Sequence, residues 1–538
     1  YTLRMQANYQ KKFNDRHDTD ILLGYEYRQT FSKSQTGTLF GYDPKTLTNS
    51  NGRINFNDLF NAQQSDLGSY RLYQADIFQP SEGGRNSWVK HRYMSYYATL
   101  HYTYDRRYAV SGSWRIDECD LFGADKKFRR RPLWSAGISW NMQNESFMRG
   151  IQWINILKPR FSYGVTGNIN AGYSSYLTAT IGLNPLSGLK YASVTTPPND
   201  QLRWEKSKTT NIGIDFSMFN YRLNGSIDYY NKQGQDVLSF IDVDPSTGFS
   251  QMLNNNAQTR NRGIELQLEG NILNSVSRDN LGINIAVTLA YNKNKINRLN
   301  YRATSGYNAL TSYHEGYPIN SLYSFDFDRI ETDSDGYQQI FWKKADGTSH
   351  DTSLRGTDFK PEDVIFSGGR DPKLSGSFTP TITYRGFSLS AMLVWYTGHY
   401  MRTASSFWNY SYSYSYGNNA SRDLLDWWNM PDEQRDRLPG NGYMMSKTHV
   451  ANYEAVYSSA NIERADYAKL RNIVLSYQFP SALCRSLRMQ QMRLRLQAND
   501  LCTWVSNSRG LDPEAVSTNG TLGFTKPRSY TIGLYITL

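Results

Sequence analysis

A transmembrane antiparallel β-barrel is the fold class this sequence predicts, and three observations carry it. Fifteen segments alternate apolar and polar residues with a period of two. No apolar run in the 538 residues approaches the ~20 needed for a spanning helix. Short and long connections between the segments also alternate, as the short turns and long loops of a barrel do. The last segment is typical: Tyr530, Ile532, Leu534, Ile536 and Leu538 share one face, and Ser529, Thr531, Gly533, Tyr535 and Thr537 share the other. A strand with one apolar and one polar face suits a wall between lipid and water.

Taken in order, short turns join Leu3–Tyr9 to Ile21–Tyr27, Tyr93–Tyr104 to Tyr108–Ile116, and Ile212–Met218 to Leu223–Tyr229. Others join Ile264–Leu268 to Leu281–Tyr291, Leu374–Tyr384 to Phe387–Trp395, and Ile473–Phe479 to Met492–Ala498. Between Trp134–Met142 and Leu157–Val165 the connection is intermediate, running around Phe147 and Trp153. Long connections are expected at 30–92, 117–132, 168–206, 231–258, 292–370, 398–462 and 502–526. Within them, Asn418–Arg437 (with Asp423, Leu424, Leu425, Trp427 and Trp428) reads as a short amphipathic helix that Ser421 would cap. Residues 317–343 read as an extra hairpin turning at Asp335-Gly336.

No linker divides the chain, so one architecture is expected over residues 1–538. An odd number of strands breaks the even-number rule for bacterial single-chain barrels, and an open barrel leaves unpaired edges in lipid. Tyr1 also opens directly in a strand, with no signal peptide before it. The expectation is therefore the C-terminal part of a larger barrel.

Composition agrees with a membrane wall. Mean hydropathy is −0.64, which argues against helical spans but not against strands that meet lipid with alternate residues. The 41 Tyr, 24 Phe and 12 Trp would furnish interfacial girdles. Net charge is +11, yet the basic residues are scattered, which excludes a nucleic-acid reading. The single dense run, Lys126-Lys127-Phe128-Arg129-Arg130-Arg131, is either a solvated loop or a contact with anionic headgroups or a partner. Cys119, Cys484 and Cys502 allow at most one disulfide.

Catalytic signatures are missing: there is no Gly-x-Ser-x-Gly, His-Glu-x-x-His, phosphate loop or Cys-x-x-Cys, and the seven histidines are dispersed. No enzyme and no cofactor are expected. Glu331, Asp333, Asp335 and Gly336 begin a weak calcium loop, but its twelfth place is Trp342 instead of a carboxylate. Trp408, Tyr410, Tyr412, Tyr414 and Tyr416 alternate mostly with serine at the outer rim. Their rings suit stacking on a substrate, docking a lid, or prolonging the wall. Arg493, Arg495, Gln497 and Asn499 are expected to face the lumen.

Trp204-Glu205-Lys206 followed by Thr209-Thr210-Asn211-Ile212-Gly213-Ile214-Asp215-Phe216 resembles a signature of SusC/RagA-type TonB-dependent transporters, and Ser162-Tyr163-Gly164-Val165-Thr166-Gly167-Asn168 is equally similar. So are Asn261-Arg262-Gly263-Ile264-Glu265, Glu315-Gly316-Tyr317-Pro318-Ile319 and Asp371-Pro372-Lys373. Tyr467-Ala468-Lys469-Leu470-Arg471-Asn472-Ile473, Asp512-Pro513-Glu514 and Lys526-Pro527-Arg528-Ser529-Tyr530 complete the set. Leu538 departs from the usual terminal Phe, and the acidic repeat before Asp371 is eroded. The resemblance implies a 22-stranded barrel of the Bacteroidota outer membrane, of which these are the last strands. It also implies a plug and a TonB-contacting segment elsewhere, and a SusD-like surface lipoprotein lid. Cargo would be oligosaccharides or oligopeptides, and the resemblance allows a dimer of transporter–lid pairs. A scaffold in a larger outer-membrane assembly is the alternative role.

Overall fold

The computed structural model describes residues 1–36, 42–49, 85–120, 130–169, 172–173, 175–183, 189–274, 278–332, 338–350, 359–403, 457–518 and 520–538. The strands are β1 (Thr2–Phe13), β2 (His17–Thr36), β3 (Arg85–Tyr104), β4 (Tyr108–Cys119), β5 (Arg131–Trp140), β6 (Ile154–Asn168), β7 (Thr178–Leu183) and β8 (Lys190–Thr196). There follow β9 (Glu205–Met218), β10 (Leu223–Asp242), β11 (Gln251–Leu273), β12 (Gly282–Arg298), β13 (Ser321–Thr332), β14 (Gln338–Lys343), β15 (Ser349–His350) and β16 (Val364–Gly369). The remainder are β17 (Leu374–Tyr384), β18 (Phe387–Thr397), β19 (Tyr400–Arg402), β20 (Ile462–Arg464), β21 (Tyr467–Gln478), β22 (Gln491–Val505) and β23 (Ser529–Thr537).

Fifteen of these form one antiparallel sheet in the order β1-β2-β3-β4-β5-β6-β9-β10-β11-β12-β17-β18-β21-β22-β23. All fifteen segments expected from the alternation lie in it. Among the described residues no ladder joins β1 to β23.

Register explains why alternation was so legible. Ile138 faces Val110 and Phe161, Ile212 faces Phe161 and Tyr229, and Ile264 faces Tyr229 and Tyr291. Leu475 faces Leu389 and Leu496, and Leu496 faces Ile532. One apolar band therefore crosses the whole sheet, and most of its side chains are exposed, Ile532 by 76%. A one-residue slip of any strand would send its apolar set to the other face.

At one end the strands close with tight turns. Asn14-Asp15 and Asp105-Arg106 hold positive φ, as does Arg385-Gly386 between β17 and β18 (49° and 84°), the conformation that two-residue hairpins require. A Cβ on Gly386 would sit 2.7 Å from the Gln478 carbonyl, so that turn needs glycine on both counts. Aromatic pairs ring this end: Tyr108 stacks on Trp140 (6.2 Å between centroids), Trp153 on Phe219 (5.8 Å), and Phe387 meets Tyr477 (4.4 Å). They form an interfacial girdle of the expected kind.

The opposite end departs from the sequence reading in several places. Residues 231–258, expected as a loop, mostly continue the ladder, because β10 and β11 stay paired up to Asp242↔Gln251. The connections 30–92 and 117–132 shorten for the same reason, with β2 reaching Thr36 and β4 reaching Cys119. Beyond the lipid level the outward residues need not be apolar, so period-two alternation fades while backbone pairing persists. The connection 168–206 carries its own hairpin, β7 with β8. The connection 292–370 carries a six-residue helix, Gly306–Thr311, and the four-stranded sheet β15-β14-β13-β16. Within that sheet β13 pairs with β14, which is the hairpin expected at 317–343; its Asp335-Gly336 turn lies outside the described residues. The amphipathic helix expected at 418–437 lies outside them too. At the turn end, Met142 begins a 3-10 turn instead of ending a strand, and Cys484 sits in the short helix Ser481–Ser486. All three cysteines are free thiols, so the one disulfide that the count allowed is not formed.

Candidate functional site

The polar face of the sheet carries runs of side-chain hydrogen bonds. Arg495 Nη2 donates to Gln497 Oε1 (2.9 Å), Gln497 Nε2 to Asn499 Oδ1 (2.7 Å), and Asn499 Nδ2 to Ser529 Oγ (2.9 Å). Arg493 Nε reaches Gln478 Oε1 at 3.3 Å. The four residues expected to line the lumen thus share one face. On β6, Arg160 bridges Asp215 on β9 (3.1 Å) and Asp228 on β10 (2.6 Å). Tyr97 lies over Gly24, where a Cβ would come within 2.0 Å of the ring.

Three clusters sit at the loop end. The first joins β21 to the segment before β23. Lys469, whose side chain is 4% exposed, donates to Asp512 (2.7 Å) and Glu514 (2.8 Å). Arg471 pairs with Glu514 and with Asp500, and the Tyr467 hydroxyl donates to Glu514 at 2.9 Å. Burial alone would raise the Glu514 carboxyl; the hydrogen bonds from Arg471, Lys469 and Tyr467 outweigh it and bring it down to about 2. Asp512 also caps the 3-10 turn Pro513–Ala515.

A second cluster gathers around Asp236, which sits in left-handed backbone (φ 55°) beside an irregularity in the β10–β11 ladder. Arg131, Arg203 and Lys206 approach it at 3.3, 2.8 and 3.6 Å. The adjacent Trp204 packs with Cys119, Leu202 and Leu253. Nothing in the residue order around Asp236 signals this role, because the bulge creates it.

The third cluster surrounds Asp371-Pro372-Lys373. A cavity of about 500 Å³ is lined by Tyr317, Pro318, Phe366, Asp371, Lys373 and Tyr400, among others. Tyr317 and Phe366 lie 4.7 Å apart, and Asn320 Nδ2 donates to both Asp371 oxygens at 3.0 Å. On the other side of Pro372 a cavity of about 270 Å³ is lined by Arg370, Tyr396, His399, Tyr467 and Glu514. His399 is buried, its Nδ1 lacks a hydrogen-bond partner, and burial pushes its imidazole below the usual range. The two cavities are lined by aromatic, charged and amide side chains; among these described residues nothing amounts to a nucleophile paired with a base.

Of the residues expected to touch cargo or lid, Trp408, Tyr410, Tyr412, Tyr414 and Tyr416 lie outside the described residues. For the calcium loop, Glu331 is described and pairs with Arg329 at 2.5 Å; Asp333 and Asp335 are outside. Trp342, in the twelfth place, is fully buried and meets Phe325 edge-on. Among the described residues no group of carboxylates, histidines and cysteines could hold a metal.

An antiparallel sheet with an exposed apolar band on one face and a hydrogen-bonded polar face on the other defines an outer-membrane barrel wall. The chain belongs to the family described as TonB dependent receptor-like, beta-barrel, which it matches over residues 1–501. A TonB-dependent receptor of Formosa agariphila is 25% identical over 572 aligned residues, covering 94% of this chain and 49% of that protein. The TonB-dependent receptor SusC of Bacteroides thetaiotaomicron is 25% identical over 468, covering 82% and 43%. The chain thus spans about half the length of the curated relatives it matches. A solved structure of the RagAB peptide importer in its open-open state superposes with a TM-score of 0.75 at 20% identity, covering 100% of this chain and 54% of that one. The fold is that of a SusC/RagA-like TonB-dependent transporter barrel, a family of transporters and not of enzymes.

Proposed function

We propose that this chain forms the C-terminal wall and outer rim of an importer that takes up large nutrients, oligosaccharides or oligopeptides, across the bacterial outer membrane. The observation that carries the reading is the two-sidedness of the fifteen-stranded sheet, apolar outside and polar inside, in a chain of this family. Among the described residues no ladder closes β1 onto β23, and the curated relatives are about twice as long as this chain; in this reading the rest of a longer polypeptide closes the barrel and a plug fills it. A SusD-like surface lipoprotein seats on the loop end as a lid, and TonB acts through the part of the protein outside this sequence. The resemblance to SusC and to the RagAB importer supports both partners.

Two measurements test this. The native polypeptide recovered from outer membranes should exceed 61.9 kDa. Cells lacking the protein should lose TonB-dependent uptake of one oligosaccharide or oligopeptide class, with restoration on complementation. Intact uptake of every such nutrient, with an assembled outer membrane that depends on the protein, would establish a scaffold instead.

A further inference from the structure

Strand parity places a group of unpaired cations on the lipid side of the wall, directly above the apolar band. On β12, Val287, Leu289 and Tyr291 point outward, so Lys293 and Lys295 do as well. On β11, Ile264 and Leu266 point outward, and Arg262 and Arg260 follow them. On β9, Ile214 and Ile212 are followed by Thr210, Lys208 and Lys206. Inward contacts confirm the phase: the Tyr230 hydroxyl donates to Asn292, and Asn294 to Asn261, all at the alternate positions.

Register makes the arrangement costly. Arg262 sits directly opposite Lys293, and Arg260 opposite Lys295, with no irregularity between them and the band. Like charges opposed across strands destabilise a sheet. Among the described residues none of Lys208, Arg260, Arg262, Lys293 and Lys295 pairs with a carboxylate; Arg260 only donates to Asn231. Lys206 alone is neutralised, by Asp236. Lys293 and Lys295 also border the cavity beside Tyr317.

Height identifies the occupant. At about 3.3 Å per residue along tilted strands, these side chains begin roughly 5 Å above Tyr291 and end roughly 10 Å above it. That is the headgroup layer, where the bilayer thickens from ~30 Å of hydrocarbon to ~40–45 Å overall. We propose that Lys208, Arg260, Arg262, Lys293 and Lys295 bind the phosphate groups of an outer-leaflet glycolipid. Its acyl chains lie on Tyr229, Ile264 and Tyr291, and its phosphates relieve the repulsion between the facing pairs. The inference rests on the membrane placement given above.

The test uses the complete transporter in detergent, stripped of lipid, with phosphorylated lipid A as probe. Its thermal midpoint should rise on addition of that lipid, and fail to rise with enzymatically dephosphorylated lipid A or with inorganic phosphate alone. A variant combining Arg260→Gln, Arg262→Gln, Lys293→Gln and Lys295→Gln should bind the phosphorylated lipid on the order of 600-fold more weakly, each basic residue near an anionic surface being worth about fivefold. Arg260→Lys with Arg262→Lys keeps the charge and should retain binding, and Lys232→Gln on the inward face should change nothing. Equal response of the Gln variant and the parent overturns the proposal, as does equal response to dephosphorylated lipid. A Gln variant that alters oligomeric state but not lipid affinity also overturns it, marking the face as a contact between copies. Heat-resistant migration of every variant as a folded barrel separates failure of this inference from failure of the membrane placement.

Discussion

Lys469 Nζ lies 2.7 Å from Asp512 Oδ2, and that contact ties a wall strand to the segment that leads into the last strand. Glu514 closes the same knot from the next turn. Replacing Lys469 with Met leaves two carboxylates facing one remaining guanidinium. Breaking a buried pair costs about 3–5 kcal/mol, and the partial exposure of Glu514 discounts this to roughly 2. Amide exchange across 512–516 should therefore quicken roughly 30-fold while the wall strands keep their protection. Unchanged exchange there would show that the knot holds nothing.

Acid should untie it late. Glu514 titrates at about 2 in place, below the ordinary ~4.3 of a free glutamate. A depressed carboxylate stabilises the fold above its unfolded value and loses that contribution as pH falls through the folded one. Residues 512–516 should thus begin to loosen below about pH 4 and be fully released only below about pH 2. Glu514→Gln should show the acid behaviour at neutral pH. Exchange rates corrected for intrinsic pH dependence give the answer.

Gly24 is set by Tyr97. A methyl at that position meets the ring at 2.0 Å, so Gly24→Ala must displace it, at about 1–3 kcal/mol. Tyr97→Ala removes the obstacle, and the double variant should be more stable than the sum of the single effects predicts. Strictly additive urea midpoints would mean that Tyr97 swings aside freely.

Substitution of the aromatic run between Trp408 and Tyr416 separates two roles. Changing Trp408, Tyr410, Tyr412, Tyr414 and Tyr416 to Ala should detach the surface lipoprotein and lower uptake of every substrate alike if the rings brace the lid. If they stack on cargo, affinity should fall about 5- to 150-fold, by analogy with the 1–3 kcal/mol of base stacking, with the lid retained. Lipoprotein recovery and substrate affinity, measured on the same preparation, decide between them.

Sequence patterning revealed the wall because lipid imposes a rule on alternate residues, and Ile212, Ile264 and Ile532 obey it. Above the lipid the rule lapses, which is why the ladder from Gly234 to Asp242 was invisible. The motifs Tyr467-Ala468-Lys469-Leu470-Arg471 and Asp512-Pro513-Glu514 were each visible, but not that they meet. Their contact spans more than forty residues and depends on where the loop folds back. His399 and Arg402 gave no signal at all, since burial of a lone polar side chain is a property of the packed loops.

Arg402, buried, donates to the Tyr323 carbonyl at 2.5 Å, and Phe325 N donates to the Tyr457 carbonyl at 3.0 Å. Phe327 N adds a bond to Ser459 Oγ at 2.9 Å. These stitches belong to two different connections, the one between β12 and β17 and the one between β18 and β21. Loose ribbons would sway independently; stitched at these points, the described segments beside Tyr323–Phe327 and Tyr457–Ser459 are coupled. Whatever presses on either must drag its neighbour along, so this part of the rim answers to load as a unit.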